Sequence, residues 1–244
     1  KKVEKFSFKN KEDINKAIEQ IKKMKFNISD ISTKTVNRNP SGPLTTSTLQ
    51  QVSSGRLGFG ASRTMQIAQK LYQGIEIEGE TIGLITYMRT DGTNTSIEAI
   101  SGFRDYIKNE CGNQYLPNDP LNYSGKKAKN AQEAHEAIRP TDIVRSPDKV
   151  KKYLSADQHK VYDLIWSRAL SSQMQSAKFD RNTITITTNN NETICKTSGS
   201  VIKFDGYLKI YKDAKKEDAE GTLPKMSKGP IDFENFIDEQ HFTQ

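Results

Sequence analysis

The hydrophobic pattern of this chain changes its period between the middle and the two ends. In segments 97–109 and 155–176, apolar residues recur every three or four positions, as on one face of an amphipathic helix. Segments 25–37 and 183–187 instead alternate β-branched and polar residues, which is typical of half-buried strands. Because strands are expected at both ends and helices between them, we predict an α+β fold, with a mainly helical domain inserted into a β-rich domain. The predicted N-caps of the helices include Asn10, Ser96 and Ser155.

The domain boundaries follow from the same change of pattern. We predict a discontinuous β-rich domain from residues 1–38 and 176–244, and a helical domain from residues 39–175. The first residue is Lys1 rather than Met, so we expect the chain to be a piece of a longer polypeptide.

Composition restricts the class of protein. Only 34% of residues are hydrophobic, the mean hydropathy is −0.75, and no apolar run approaches the length of a membrane span. Two cysteines are too few for a disulfide framework or a Cys-rich zinc site, which fits a reducing, cytoplasmic location. The net charge of +7 permits a polyanionic partner, but it also fits plain solubility.

A tyrosine and an arginine stand two residues apart in segment 83–95, GLITYMRTDGTNT. A short apolar and β-branched run leads into Tyr87, and a turn-like polar tail follows Arg89, so we predict a strand on which both side chains project to one face. A phenol is mostly protonated at neutral pH, and a neighbouring guanidinium would favour phenolate and neutralise phosphate oxygens. The pair therefore fits attack on a phosphodiester, although an ordinary half-buried strand could carry the same residues.

Segment 129–141, KNAQEAHEAIRPT, carries a second pair suited to phosphate. Residues 131–138 are predicted to be helical, with Asn130 as N-cap and the proline after Arg139 ending the helix. On such a helix His135 and Arg139 share a face. The alternative is a helix with a partly buried histidine and solvated charges. The H-E-x-x-H zinc motif fails, because its fifth position is Arg139.

Four short strings of this sequence occur in a characteristic order. They are PLTTSTLQQ at 43–51, RLGFG at 56–60, ITYMRTDG at 85–92 and AQEAHEAIRPTD at 131–142. In this order and spacing they resemble bacterial DNA topoisomerase I, of the type IA class, and the similarity continues to QHFT at 240–243. The resemblance also implies that the β-rich domain is the arch, or gate, of that family.

The resemblance implies a reaction and a role for three residues. Tyr87 would form a 5′-phosphotyrosyl bond with single-stranded DNA, Arg89 would contact DNA and the transition state, and His135 would assist at the cleaved phosphate. The implied enzyme is an ATP-independent isomerase that cleaves and rejoins one strand, lets another strand pass, and relaxes negatively supercoiled DNA at the bacterial nucleoid.

Further DNA contacts are predicted from charge and polarity. Lys126, Lys127 and Lys129 form a basic cluster that could follow a DNA backbone, although a solvated loop fits equally well. Arg139 could contact a phosphate, and Gln50 could contact DNA through its amide, although an ordinary solvated surface position fits Gln50 better.

The sequence differs from the pattern of the resembled family in three respects. No group of acids resembles the D-x-D-x-E cluster that holds Mg²⁺ in the family's Toprim domain. We therefore expect no metal ligands here, with the Toprim domain and the remaining DNA-binding domains elsewhere in the same polypeptide, and no relaxation by this piece alone. Gly92 stands where the family usually has serine, and segment 75–81, IEIEGET, looks like a short insertion.

Two other classes of protein remain open. Tyrosine recombinases and type IB topoisomerases also form phosphotyrosine, but their nucleophile comes late in the chain and their adduct is linked to a 3′ end. A noncatalytic DNA-binding module would form no covalent adduct at all.

Overall fold

The computed structural model describes residues 10–123, 135–188, 194–211, 223 and 226–232. The helices are α1 (Lys11–Lys22), α2 (Thr46–Leu57), α3 (Ala61–Gln73), α4 (Ile97–Tyr106), α5 (Pro147–Val150) and α6 (Ala156–Ser171). The strands are β1 (Phe26–Arg38), β2 (Ile75–Ile77), β3 (Glu80–Ile82), β4 (Ala177–Thr188), β5 (Ile194–Phe204) and β6 (Gly229–Ile231). The predicted α+β class is confirmed. Within the described ranges, no helix combines the length and apolar character that a bilayer crossing requires.

Three helices begin at the residues that were predicted to cap them. Asn10 accepts a hydrogen bond from the backbone N–H of Asp13, and Ser96 accepts one from Ala99. Ser155 and Gln158 form a capping box at the start of α6. The predicted N-caps at Asn10, Ser96 and Ser155 are therefore confirmed.

The described residues divide into two compact units. The β unit takes those within Lys1–Val36, Asp180–Val201 and Asp218–Gln244, and the helical unit takes those within Asn37–Phe179 and Ile202–Glu217. The domain division that we predicted stays a proposal with one revision, because Tyr207 and Leu208 belong to the core of the helical unit rather than to the β-rich part.

β1 lies inside a four-stranded sheet with the order β5-β4-β1-β6. It pairs with β6 in an antiparallel register that sets Phe26 opposite Ile231. Towards the other neighbour, the Thr33 hydroxyl donates to Asn182 at 2.8 Å and the Thr35 hydroxyl donates to Asp180 at 2.6 Å. The partner numbers fall as those of β1 rise, so β1 and β4 are also antiparallel.

α6 is the most deeply buried helix of the helical unit. It packs against α2, α3 and α5, and Tyr162, Ile165 and Leu170 have essentially no exposed surface. Burial raises the pKa of the Tyr162 phenol above its ordinary value near 10.0, so the hydroxyl stays protonated and donates to the Arg145 carbonyl at 2.7 Å. Trp166 donates to the Ile143 carbonyl at 2.9 Å. These bonds fix the chain just after the predicted histidine segment.

Segment 75–81 forms a tight hairpin of β2 and β3. Ile75 pairs with Ile82, and the turn residues Glu78 and Gly79 have φ angles of 54° and 89°. Two positive φ angles are typical of a type I′ turn, whose twist suits antiparallel strands. The hairpin returns the chain to the end of α3, where the Leu84 N–H donates to the Leu71 carbonyl at 2.8 Å. The hairpin therefore delivers the tyrosine segment beside α3.

Candidate active site

The segment that carries Tyr87 is irregular rather than a strand, so that prediction was wrong. Its only β-type contact among the described residues is an isolated antiparallel bridge between Ile85 and Pro140. Leu84 and Ile85 are both buried, which breaks the strand alternation, because the chain here packs into the core on both sides. Beyond them Tyr87 is half-buried and Arg89 is exposed, while the residue between them is buried.

Thr46, at the start of α2, holds the Tyr87 segment in place. Its hydroxyl lies 2.8 Å from the Met88 carbonyl and 3.1 Å from the Thr90 carbonyl, and it accepts the Thr90 N–H at 2.9 Å. The Thr46 N–H also donates to the Thr90 carbonyl at 2.9 Å. A helix terminus therefore supplies the hydrogen bonds that an irregular buried segment would otherwise lack.

The ring of Tyr87 lies between two other rings. The His135 ring has its centroid 4.7 Å away at an interplanar angle of 54°, and the Tyr72 ring meets it edge-on at 5.4 Å and 66°. Such pairs contribute about 0.5–1.5 kcal/mol each beyond their area burial. The structure thus brings together Tyr87 and His135, which are far apart in sequence. Sequence reasoning missed Tyr72, because its helical spacing indicated only core packing.

His135 does not lie on a helix. Positions 130–134 of the predicted helix and its cap lie outside the described residues, and residues 135–140 are not helical. The Ala137 N–H donates to the Asn94 carbonyl, and the Ile138 N–H donates to the Leu44 carbonyl, both at 2.8 Å. The helix prediction was wrong for these residues because tertiary backbone pairing replaces the bonds within a helical turn.

Arg139 is therefore not on a shared helix face with His135. Its Nε and Nη2 donate to both carboxylate oxygens of Glu136 at 2.9 and 2.6 Å, and its Nη1 donates to the Pro140 carbonyl at 2.9 Å. The Arg139 side chain is only 12% exposed. Glu136 also accepts the Ser96 N–H at 3.1 Å. This arrangement ties segment 136–140 to the start of α4, and nothing in it directs Arg139 to a phosphate.

The structure gives less information on the other residues that were predicted to contact DNA. Lys126, Lys127 and Lys129 lie outside the described residues, and Gln50 is half-buried on α2.

In the part of the chain that the structure describes, no group of three or more His, Cys, Asp or Glu side chains could hold a metal ion. The carboxylate beside His135, that of Glu136, has both oxygens bound to Arg139. These residues do not fit a Mg²⁺ site, which requires available oxygen ligands.

Gly92 allows the His135 backbone to approach closely. A Cβ at this position would lie 2.5 Å from the His135 carbonyl oxygen, well inside van der Waals contact. The Gly92 N–H donates to the Thr90 hydroxyl at 3.0 Å, and that hydroxyl donates to the same His135 carbonyl at 3.3 Å. Glycine at this position therefore has a local structural basis.

Gly92→Ala is expected to displace the His135 segment and to destabilise the protein by about 1–3 kcal/mol, because a backbone oxygen has to move. Thermal unfolding measures the loss, and covalent capture of DNA by the full-length protein reports the position of His135. Gly55→Ala, inside α2 with nothing within 4 Å of the added Cβ, is the control and should stabilise by about 0.5–1 kcal/mol. Equal effects of the two substitutions would contradict the close approach.

Comparison with known proteins identifies the family of this chain. The protein-family profile described as DNA topoisomerase matches residues 1–244. DNA topoisomerase 1 of Rickettsia felis is 44% identical over 247 residues, covering 100% of this chain and 32% of that protein. DNA topoisomerase 1 of Xylella fastidiosa is 43% identical over 235 residues, covering 93% and 29% respectively.

A solved structure is also similar over most of the chain. Full-length topoisomerase I from Thermotoga maritima superposes with a TM-score of 0.77 at 32% identity, covering 94% of this chain and 36% of that one. The chain thus spans roughly a third of the length of its relatives, as the coverage of 32% shows for the Rickettsia protein. By profile, sequence and fold, the chain belongs to the bacterial DNA topoisomerase I family.

Proposed function

We propose that this chain carries the nucleophile of a type IA topoisomerase, which cleaves and rejoins single-stranded DNA. The observation that carries the proposal is the placement of the Tyr87 ring 4.7 Å from the His135 ring, with the exposed Arg89 two residues further along the chain. A phenol and an imidazole in ring contact can supply a nucleophile and a proton-transfer group, and a guanidinium two residues away can add charge stabilisation.

In the proposed reaction the Tyr87 phenol oxygen attacks a backbone phosphorus. The bond from phosphorus to the tyrosine oxygen forms, the bond from phosphorus to the 3′ oxygen breaks, and the phenol proton leaves as a proton is added to the departing 3′ oxygen. The 5′ phosphate stays on the protein until the 3′ hydroxyl reverses the step. One phosphodiester replaces another, so the exchange needs no ATP.

Arg89 and His135 would act on the phosphate. The Arg89 guanidinium is exposed and can donate to the oxygens of the pentacovalent phosphorane, where one preorganised donor contributes about 2–4 kcal/mol by analogy with oxyanion sites. His135 is exposed beside Tyr87, within reach of the same phosphate, and can exchange a proton with a reacting oxygen.

The complete reaction is proposed to need more than this chain. Passing a second strand and relaxing negatively supercoiled DNA would involve the Toprim domain and the other DNA-binding domains of the same polypeptide, at the nucleoid in the bacterial cytoplasm. Mg²⁺ is proposed to be held by the Toprim domain. We expect no relaxation by residues 1–244 alone.

The test is the polarity of the covalent adduct. The full-length protein is mixed with a single-stranded oligonucleotide labelled at its 3′ or its 5′ end, and the reaction is stopped with denaturant. We expect the 3′ label to stay on the protein, the 5′ label to leave on a fragment with a 3′ hydroxyl, and the modified peptide to contain Tyr87. A 3′-linked adduct would indicate the type IB class, and no adduct would indicate a binding module.

A further inference from the structure

The exposed face of α3 borders a groove that Arg89 of the candidate active site also lines. Six of its side chains are spaced so that they share one side of the helix. They are Ser62, Arg63, Gln66, Gln69, Lys70 and Gln73. Together with Arg89 they line a groove of about 790 Å³. The groove is therefore continuous with the arginine that we place at the reacting phosphate.

The available charges on this face are positive. Residues 31–75 contain no Asp or Glu, so α3 carries no carboxylate of its own. The acid that lines the groove, Asp157, is already paired with Arg63. Among the described residues, no carboxylate forms an ion pair with Lys70 or Arg89, and both are exposed. An anion entering the groove would meet two available cations and no free negative charge.

We propose that the α3 face is a track for the single DNA strand beside the reacting phosphate, an inference that rests on the proposed function. Lys70 and Arg89 would neutralise backbone phosphates, and the amides of Gln66, Gln69 and Gln73 would hydrogen-bond to sugars and base edges. Neutral amides beside cations suit sequence-tolerant binding, since they present both donors and acceptors.

Another domain of the polypeptide is the rival occupant of this face. Protein interfaces are usually enriched in aromatic residues at their centre and depleted of lysine. No aromatic side chain that the structure describes lines this groove, and an exposed lysine and three amides lie along the stripe instead. The composition therefore favours a polyanion over a protein partner.

The test measures strand binding without cleavage, in full-length protein that carries Tyr87→Phe. Binding of a fluorescent, mixed-sequence single-stranded oligonucleotide is followed by anisotropy over a series of salt concentrations. Lys70→Gln is expected to weaken binding on the order of fivefold and to reduce the salt slope by about 0.7. Gln73→Ala should weaken binding with the slope unchanged, because it removes no charge. Lys108→Gln, an exposed lysine away from the groove, should change neither.

Two outcomes would overturn the proposal. If Lys70→Gln and Lys108→Gln bind alike, the strand does not follow α3. If Lys70→Gln leaves binding intact but lowers the thermal midpoint of the full-length protein, the face seats another domain. Adduct formation by protein with Tyr87 intact is scored separately, so the track can fail while the proposed function stands.

Discussion

Replacing Tyr87 with phenylalanine is expected to abolish covalent capture of single-stranded DNA by the full-length protein. The substitution removes only the phenol oxygen and keeps the ring that contacts Tyr72 and His135. Without the nucleophile, adduct formation should fall on the order of 10⁴-fold or more, to the limit of detection. Denaturing electrophoresis with 3′-labelled oligonucleotide measures the adduct, and thermal unfolding confirms that the fold survives.

Tyr72→Phe is the matched control, because it removes a second phenol next to the same ring. Tyr72 is 41% exposed and lies at the end of α3. Capture should persist in this variant. If Tyr72→Phe lost the adduct and Tyr87→Phe kept it, the assignment of the nucleophile would be wrong.

Glu136→Gln is expected to destabilise the helical unit by about 2–3 kcal/mol, because it leaves the Arg139 guanidinium without a carboxylate. The cost should fall below the roughly 3–5 kcal/mol of a fully buried pair, because the Glu136 side chain is 31% exposed and Arg139 12%. Urea unfolding, followed through the fluorescence of Trp166, the single tryptophan of this chain, measures the loss. Trp166 is buried and packs edge-on against Tyr106, so its emission reports this core.

The same substitution should also lower covalent capture. Glu136 follows His135 directly and accepts the Ser96 N–H, so weakening it loosens the backbone that positions the imidazole. Glu98→Gln, an exposed acid in the first turn of α4, is the control and should change stability by at most about 0.5 kcal/mol. If the Glu136→Gln protein were as stable as the Glu98→Gln protein, the ion pair between Glu136 and Arg139 would contribute little to stability.

Much of the site was predictable, because the chemistry resides in residue types and in order along the chain. Tyr87, Arg89 and His135 were singled out from their strings, and the structure brings the tyrosine and histidine rings to 4.7 Å. The position of Arg139 relative to His135 was not predictable, because a four-residue spacing indicates a shared face only if the segment is helical. Its partner, Glu136, was hidden within the same string.

The sequence by itself determined the local features of this protein. Helix starts at Asn10, Ser96 and Ser155 depend on side chains that bond to backbone N–H groups three residues away, so the information is contained in a few adjacent positions. The α+β class followed similarly, because hydrophobic period is set within each segment.

Only the tertiary structure decided the conformation of the two segments that form the site. Ile138 bonds to Leu44 and Pro140 bridges Ile85, across separations that no local pattern encodes. A segment with helical propensity is irregular here, because buried backbone groups must pair and the available partners lie on distant parts of the chain. The close contact at Gly92 has the same origin, since only the folded chain brings the His135 carbonyl there.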